Sequence, residues 1–331
     1  MRGNNLRKKD CKYSVFLFEK QIIHYICGTM ANVWHKFLCS LLYPLQRMPL
    51  GFHYACCRAL SGAMRLFRYR QDVVTINLSR SFPDKKYGEI KKISKAFYRH
   101  LGEVAAETMW IGGRHRQKGK EKVRRKGIIS LEGTEELYRA YEKGSVMILN
   151  SHCGNWELMG AYLGLTACGE GSTFPESAVT VVYRRLHGKF SEFFFKRNRT
   201  SLQAKDFEGY VESRVVMRYI IRHLKEKMVY VFPNDQYPYG TSLARMEVPF
   251  LNQKTEAMTG AGEVAERFKM SVFYMNANRD AHGHYTVRYT KICDDASRLG
   301  TDAIIRQYYS LLEQDINNNP SNYLWSHKRW K

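Results

Sequence analysis

From residue 145 onward, short apolar runs alternate with helical patterns, and this rhythm constrains the fold more than any other feature of the chain. Segments 145–150, 179–183, 229–233, 271–275 and 285–290 read as strands, rich in β-branched and aromatic residues. Segments 155–166, 188–198, 209–226 and 259–268 carry apolar residues at helical spacing and separate most of the strands. Strands alternating with helices in this rhythm predict an α/β fold: a central sheet covered on both faces by flanking helices. The 331 residues suffice for one large domain or two smaller ones, and no repeat or linker divides this part.

The chain before it is different. Residues 1–29 are basic and irregular, an N-terminal extension with Met30 as an alternative start. Residues 31–43 and 51–70 read as two amphipathic helices split by Pro44 and Pro49, with basic residues such as Lys36, Arg47, Arg58 and Arg65 among the apolar ones. They suit a packed hairpin, and equally a surface lying in a lipid interface, which needs apolar area together with Lys and Arg. A long helix is expected over 86–110, with Ile90, Ile93, Phe97, Leu101, Val104 and Met109 forming its buried face. Residues 112–127 then break the pattern with eight basic residues, Arg114, Arg116, Lys118, Lys120, Lys122, Arg124, Arg125 and Lys126. A solvated loop is the ordinary reading, although near an anionic membrane each such residue adds about 1 kcal/mol of attraction. The expected division is therefore the extension 1–29, a helical membrane-associated region 30–127 and an α/β core 128–331.

A formal charge of +22, from 53 basic and 31 acidic residues, calls for a polyanionic partner: nucleic acid, an anionic membrane surface, or a phosphorylated substrate. The eight cysteines include no Cys-x-x-Cys pair, and no zinc spacing arises with the scattered histidines. No stretch reaches the roughly 18 apolar residues that span a bilayer, and the run 13–18 lacks a signal-peptide cleavage site.

Chemistry concentrates where strands end. The strand 145–150 delivers His152, a Gly154-Asn155 turn follows, and Glu157 falls in the first turn of the next helix. An imidazole held by a carboxylate through one nitrogen can take a proton from an alcohol with the other. Of the 11 histidines, His187 also has a carboxylate five places on, Glu192, but no strand directly precedes it. Context, not spacing, favours His152. Arg184 lies just past strand 179–183, suited to grip phosphate or carboxylate and equally to a surface ion pair. Asp235 lies just past strand 229–233, where a turn-forming Asx residue is also common. Cys153 would have to share a turn with its own base to act as a nucleophile. Thr259-Gly-Ala-Gly-Glu-Val-Ala265 contains a G-x-G-x-x-A, but residues 254–258 are polar and read as no strand, so close helix packing explains the glycines better than a nucleotide.

Five blocks in order resemble the late acyltransferases of lipid A biosynthesis, the lauroyl and myristoyl transferases of the lysophospholipid acyltransferase superfamily. Ser151-His-Cys-Gly-Asn-Trp-Glu157 is similar to the family's H-x-x-N-W-E, Tyr183-Arg184 to its Tyr-Arg block, and Asp235-Gln236 to its Asp-Gln block. Val248-Pro-Phe-Leu251 and Tyr323-Leu-Trp-Ser-His-Lys-Arg-Trp330, the latter like its closing W-x-H-K-R, complete the set. The likeness runs from near Met30 to the end. Arg185 stands where many relatives have proline, and Gln236-Tyr-Pro-Tyr follows Asp235 in place of a second acid. The resemblance implies an acyl-thioester-dependent O-acyltransferase of the inner membrane's cytoplasmic face, with His152 and Glu157 catalytic and Arg184 and Asp235 on substrate. It further implies acyl carrier protein as donor, a phosphorylated glycolipid as acceptor, an anionic membrane surface beneath, and no cofactor, metal or nucleic acid. The same base would serve another lipid acceptor, such as a lysophospholipid or amino-acid lipid. A basic nucleic-acid binder would leave the ordered blocks unexplained.

Overall fold

The computed structural model describes residues 33–238 and 244–330; the extension 1–29 lies outside them. Seven strands form the central sheet: β1 (Ile129–Glu132), β2 (Val146–Asn150), β3 (Val179–Tyr183), β4 (Tyr210–Glu212), β5 (Val229–Pro233), β8 (Ser271–Arg279) and β9 (Tyr285–Cys293). Their order is β1-β9-β8-β2-β5-β3-β4. The five strands β8 to β4 run parallel, whereas β9 is antiparallel to β8 and carries β1 parallel to itself. Every residue of β2 is buried, and since successive side chains point to opposite faces, both faces are covered there. The α/β reading and the central mostly parallel sheet flanked by helices are confirmed.

Helices α1 (33–47), α2 (Leu50–Leu66), α3 (Gln71–Ser81) and α4 (Tyr87–Gly112) precede the sheet. After them come α5 (Arg116–Lys126), α6 (Thr134–Lys143), α7 (Met159–Ala167), α8 (Lys189–Arg199), α9 (Val216–Arg222), α10 (Gly260–Arg267), α11 (Ala296–Leu299) and α12 (Thr301–Asn318). The helix α4 packs against α2 and α3, and also against the turn after β2 and the closing segment. Val33, Trp34, Phe37 and Leu41 of α1, with Leu66 and Phe67 at the end of α2, stay exposed. No helix among the described residues is long and apolar enough to cross a membrane.

Four local expectations need correction. Pro44 does not end the first helix; the chain breaks at Met48-Pro49, where Pro49 takes extended backbone as the N-cap of α2. The basic run is not a loop but the helix α5, because Gly119, Lys120 and Val123 face inward and the Lys120 ammonium reaches Glu176. Segment 209–226 is divided between β4 and α9. A strand does precede the glycine motif: β6 (Arg245–Phe250) and β7 (Gln253–Met258) form an antiparallel hairpin outside the main sheet. A nucleotide fingerprint needs its strand within a parallel βαβ unit, so the exclusion survives on different grounds. A side chain at Gly262 would press on Thr301 and Ile305 of α12, whereas Gly260 faces open space. Packing accounts for one glycine only.

Candidate active site

Parallel neighbours β2, β5 and β3 end on the same edge of the sheet, where open α/β folds hold their ligands. The backbone pairing of β2 and β5 continues one residue past the strands, with Asn234 N–H donating to the Asn150 carbonyl at 3.0 Å. That extra rung sets Asp235 against His152. The carboxylate accepts the His152 backbone N–H at 3.1 Å and its ring Nδ1–H at 2.7 Å. An ionised carboxylate only accepts, so the ring proton sits on Nδ1 and Nε2 carries the lone pair. The Gln236 amide lies 3.0 Å from that Nε2.

Burial by itself would push the Asp235 carboxyl up, but its electrostatic interaction and two hydrogen bonds with His152 and the nearby Arg329 hold it below the ordinary value of 3.8. Arg329 is itself buried and donates to the Tyr309 hydroxyl, which in turn donates to the Asn234 carbonyl. For a depressed carboxylate the linked stability is present above the unfolded value and is lost only as pH falls through the lower folded one. Asp235 therefore stays ionised, and its hold on the ring constant, across the range in which a histidine titrates.

Glu157 lies elsewhere than expected. Gly154 turns the chain in the left-handed region at φ 65°, and a side chain there would meet the Ala277 carbonyl. Asn155 then caps a single 3-10 turn, Trp156–Leu158, by accepting the Glu157 N–H. This carries the Glu157 carboxylate to Arg199 at the end of α8, which it grips twice, at 2.6 Å from Nε and 2.7 Å from Nη2. The third guanidinium nitrogen bonds the Tyr210 hydroxyl, and the Tyr210 ring stacks on Tyr183 at 3.9 Å. Burial would lower the Arg199 pKa, yet Glu157 and Tyr210 raise it above the ordinary value, so its charge is secure. The carboxylate partner of the His152 ring is Asp235, not Glu157, because the turn is 3-10 and starts from a left-handed glycine.

Arg184 stands exposed just past β3, at the mouth of the cleft that His152 faces. Glu192, the other carboxylate five places after a histidine, accepts from the Tyr183 hydroxyl and the Leu186 N–H instead of from His187. Cys153 is buried, and burial pushes its thiol far up, so it supplies no thiolate. No group of residues suited to hold a metal ion occurs among the described residues.

Sequence reasoning missed Glu107. This carboxylate of α4 is buried and accepts from Asn155 Nδ2 at 2.8 Å, Tyr54 at 2.8 Å, Tyr285 at 2.6 Å and Arg279 Nε at 3.1 Å. It anchors the turn that carries His152. The signal was present: Glu107 continues the three-residue step of the apolar face from Val104.

His152, Gln236 and His327 meet in a cleft of about 830 Å³, within the size range of small-molecule sites. Val182, Val216, Met217, Phe232, Met258 and Val264 supply apolar wall. Arg184, Arg185, Arg214 and Arg267 also border it, against Glu263 as the acidic member of the lining. A fixed imidazole whose lone pair faces the cleft, apolar walls and a cationic rim together suit one class: an enzyme that handles a hydroxyl beside long apolar chains and anionic groups. The comparisons agree with that class. The family model for bacterial lipid A biosynthesis acyltransferases matches residues 29–331, and the chain belongs to this family. A lipid A biosynthesis acyltransferase of Haemophilus influenzae is 24% identical over 305 residues, spanning 90% of this chain and 88% of its own length. The resemblance seen in the five blocks is thereby confirmed, and with it acyltransferase activity in lipid A synthesis.

Proposed function

We propose that the enzyme moves a fatty acyl chain from an acyl carrier protein thioester to a hydroxyl of a lipid A precursor, with His152 as general base. The observation that carries this reading is the His152 ring, fixed through Nδ1 by Asp235 and turned with Nε2 toward an apolar cleft. As the acceptor oxygen attacks the thioester carbon, its proton passes to Nε2; Asp235 stabilises the imidazolium, which then returns the proton to the leaving thiolate. No covalent enzyme intermediate is needed. Glu157 acts on this site indirectly, by fixing Arg199 and the end of α8.

The test uses membranes containing wild type or His152→Ala, supplied with acyl carrier protein thioesters and a tetra-acylated lipid A precursor, with products read by mass. An added acyl chain that depends on His152 supports the reading, since general-base catalysis of this kind contributes about 10²–10⁴-fold. Thioester consumed only when phospholipid or amino-lipid acceptors are present would keep the chemistry and change the substrate. A folded His152→Ala enzyme that retains much of its turnover would remove the base.

Arg184 and the other rim arginines match the phosphates of such an acceptor. Arg184→Ala should raise the acceptor KM or lower kcat/KM while sparing the donor; unchanged acceptor kinetics would take it out of the site. The exposed apolar residues of α1 and α2, among basic ones, fit attachment to the cytoplasmic face of the inner membrane. Binding to anionic vesicles should weaken at high salt and yet persist, because salt screens charge and leaves apolar burial. Complete release by salt would contradict inserted helices.

A further inference from the structure

The base nitrogen of His152 is not bare. Gln236 lies 3.0 Å from Nε2, and its side chain lines the same cleft. With Nδ1–H committed to Asp235, the amide presents an N–H to Nε2, since its oxygen would set one acceptor against another. The backbone leading to it is held in place. The preceding Asn234 is tied to Asn150 through its backbone and to Met258 through its side-chain amide.

An attacking hydroxyl needs the same lone pair, at about 2.6–3.2 Å from Nε2. Its arrival displaces the Gln236 N–H. The carbonyl carbon under attack then lies about 3–3.5 Å beyond the hydroxyl oxygen, so a flexible amide released at this point has the carbonyl oxygen within reach. Two other donors of the cleft are already committed: Arg199 uses all three nitrogens on Glu157 and Tyr210, and the Asn234 amide bonds Met258. The geometry points to Gln236 as a catalytic residue that caps the base in the resting enzyme and donates to the oxyanion once the acceptor has displaced it.

This inference rests on acyl transfer from a thioester, as proposed above. The hydroxyl oxygen bonds to the thioester carbon while its proton moves to Nε2, and the carbonyl electron pair shifts to the oxygen held by Gln236. The pair returns, the carbon–sulfur bond breaks, and the thiolate takes the proton from Nε2. One alcohol and one thioester give one ester and one thiol, without a further reactant.

Thiol release from an acyl carrier protein thioester is followed with membranes containing the full chain, with and without the lipid acceptor. Hydrolysis by water passes through the same oxyanion, so the readout does not depend on the acceptor. Gln236→Ala is expected to lower kcat about 10²–10³-fold in both reactions, as loss of one oxyanion donor does, with little change in KM. Gln236→Glu, of the same shape but with an acceptor in place of the donor, should lose at least as much. A purely structural residue would lower the amount of folded enzyme and leave the kcat of the folded fraction in place. Unchanged or raised kcat in Gln236→Ala, with active wild type, overturns this role alone. Wild type that consumes no thioester overturns the acyl-transfer reading and this role together.

Discussion

Asp235→Asn should lower kcat by about 10²–10⁴-fold while the protein remains folded. The size follows from how the carboxylate is used. Its two oxygens accept two different donors of His152, the backbone N–H and the ring Nδ1–H. An asparagine offers one oxygen and one NH2 group. If the oxygen stays on the backbone N–H, the NH2 group faces Nδ1 and drives the ring proton to Nε2, which removes the lone pair that the proposed base uses. Volume and burial hardly change, so the thermal midpoint should stay close to that of the wild type. Combined with His152→Ala, the substitution should add little further loss, because the two residues act as a unit. Near wild-type turnover in Asp235→Asn would show that another group orients the ring.

Glu157→Ala should behave in the opposite way, costing about 3–5 kcal/mol of stability by leaving the largely buried Arg199 charge without its partner. The denaturant midpoint measures this. The finer test is Glu157→Gln, which keeps the shape but sets an NH2 group against the guanidinium. It should lose stability as well, yet the fraction that folds should keep the acid limb of its kcat/KM profile where the wild type has it. A stable Glu157→Gln protein with the catalytic loss expected of Asp235→Asn would place Glu157 on the ring after all.

The contrast between these two carboxylates shows what could be read from the chain. Residues 146–150, 179–183 and 229–233 were legible as strands because parallel strands covered on both faces are apolar throughout. His152, Arg184 and Asp235 were then legible as groups at strand ends. Which of them touch depends on sheet order, and β5 lies beside β2 although 83 residues separate His152 from Asp235. Spacing along the chain carries no such information. Five-residue spacing between His152 and Glu157 suggested a shared turn, but a left-handed Gly154 and a 3-10 turn sent the two side chains apart.

Other misses share a cause. The strand β7 buries only Thr255 and Ala257, too little apolar signal to stand out in a polar run. The helix α5 presents a narrow inward face of Gly119, Lys120 and Val123 beneath a mostly cationic surface, so composition alone suggested a loop. In both, tertiary contacts complete what local pattern leaves weak. The proposed attachment of α1 and α2 to a membrane rests on the same kind of context, since exposed apolar residues acquire meaning from what covers them.

The central claim is that Asp235 fixes His152 with its proton on Nδ1 and its lone pair on Nε2. Nitrogen-15 NMR of the full chain with labelled histidine, the His152 signals assigned by their absence from His152→Ala, reads that tautomer directly. The account predicts a protonated Nδ1 and an unprotonated Nε2 at neutral pH, with the proton moving to Nε2 in Asp235→Asn. A proton on Nε2 in the wild type, or a ring unaffected by Asp235→Asn, would contradict it.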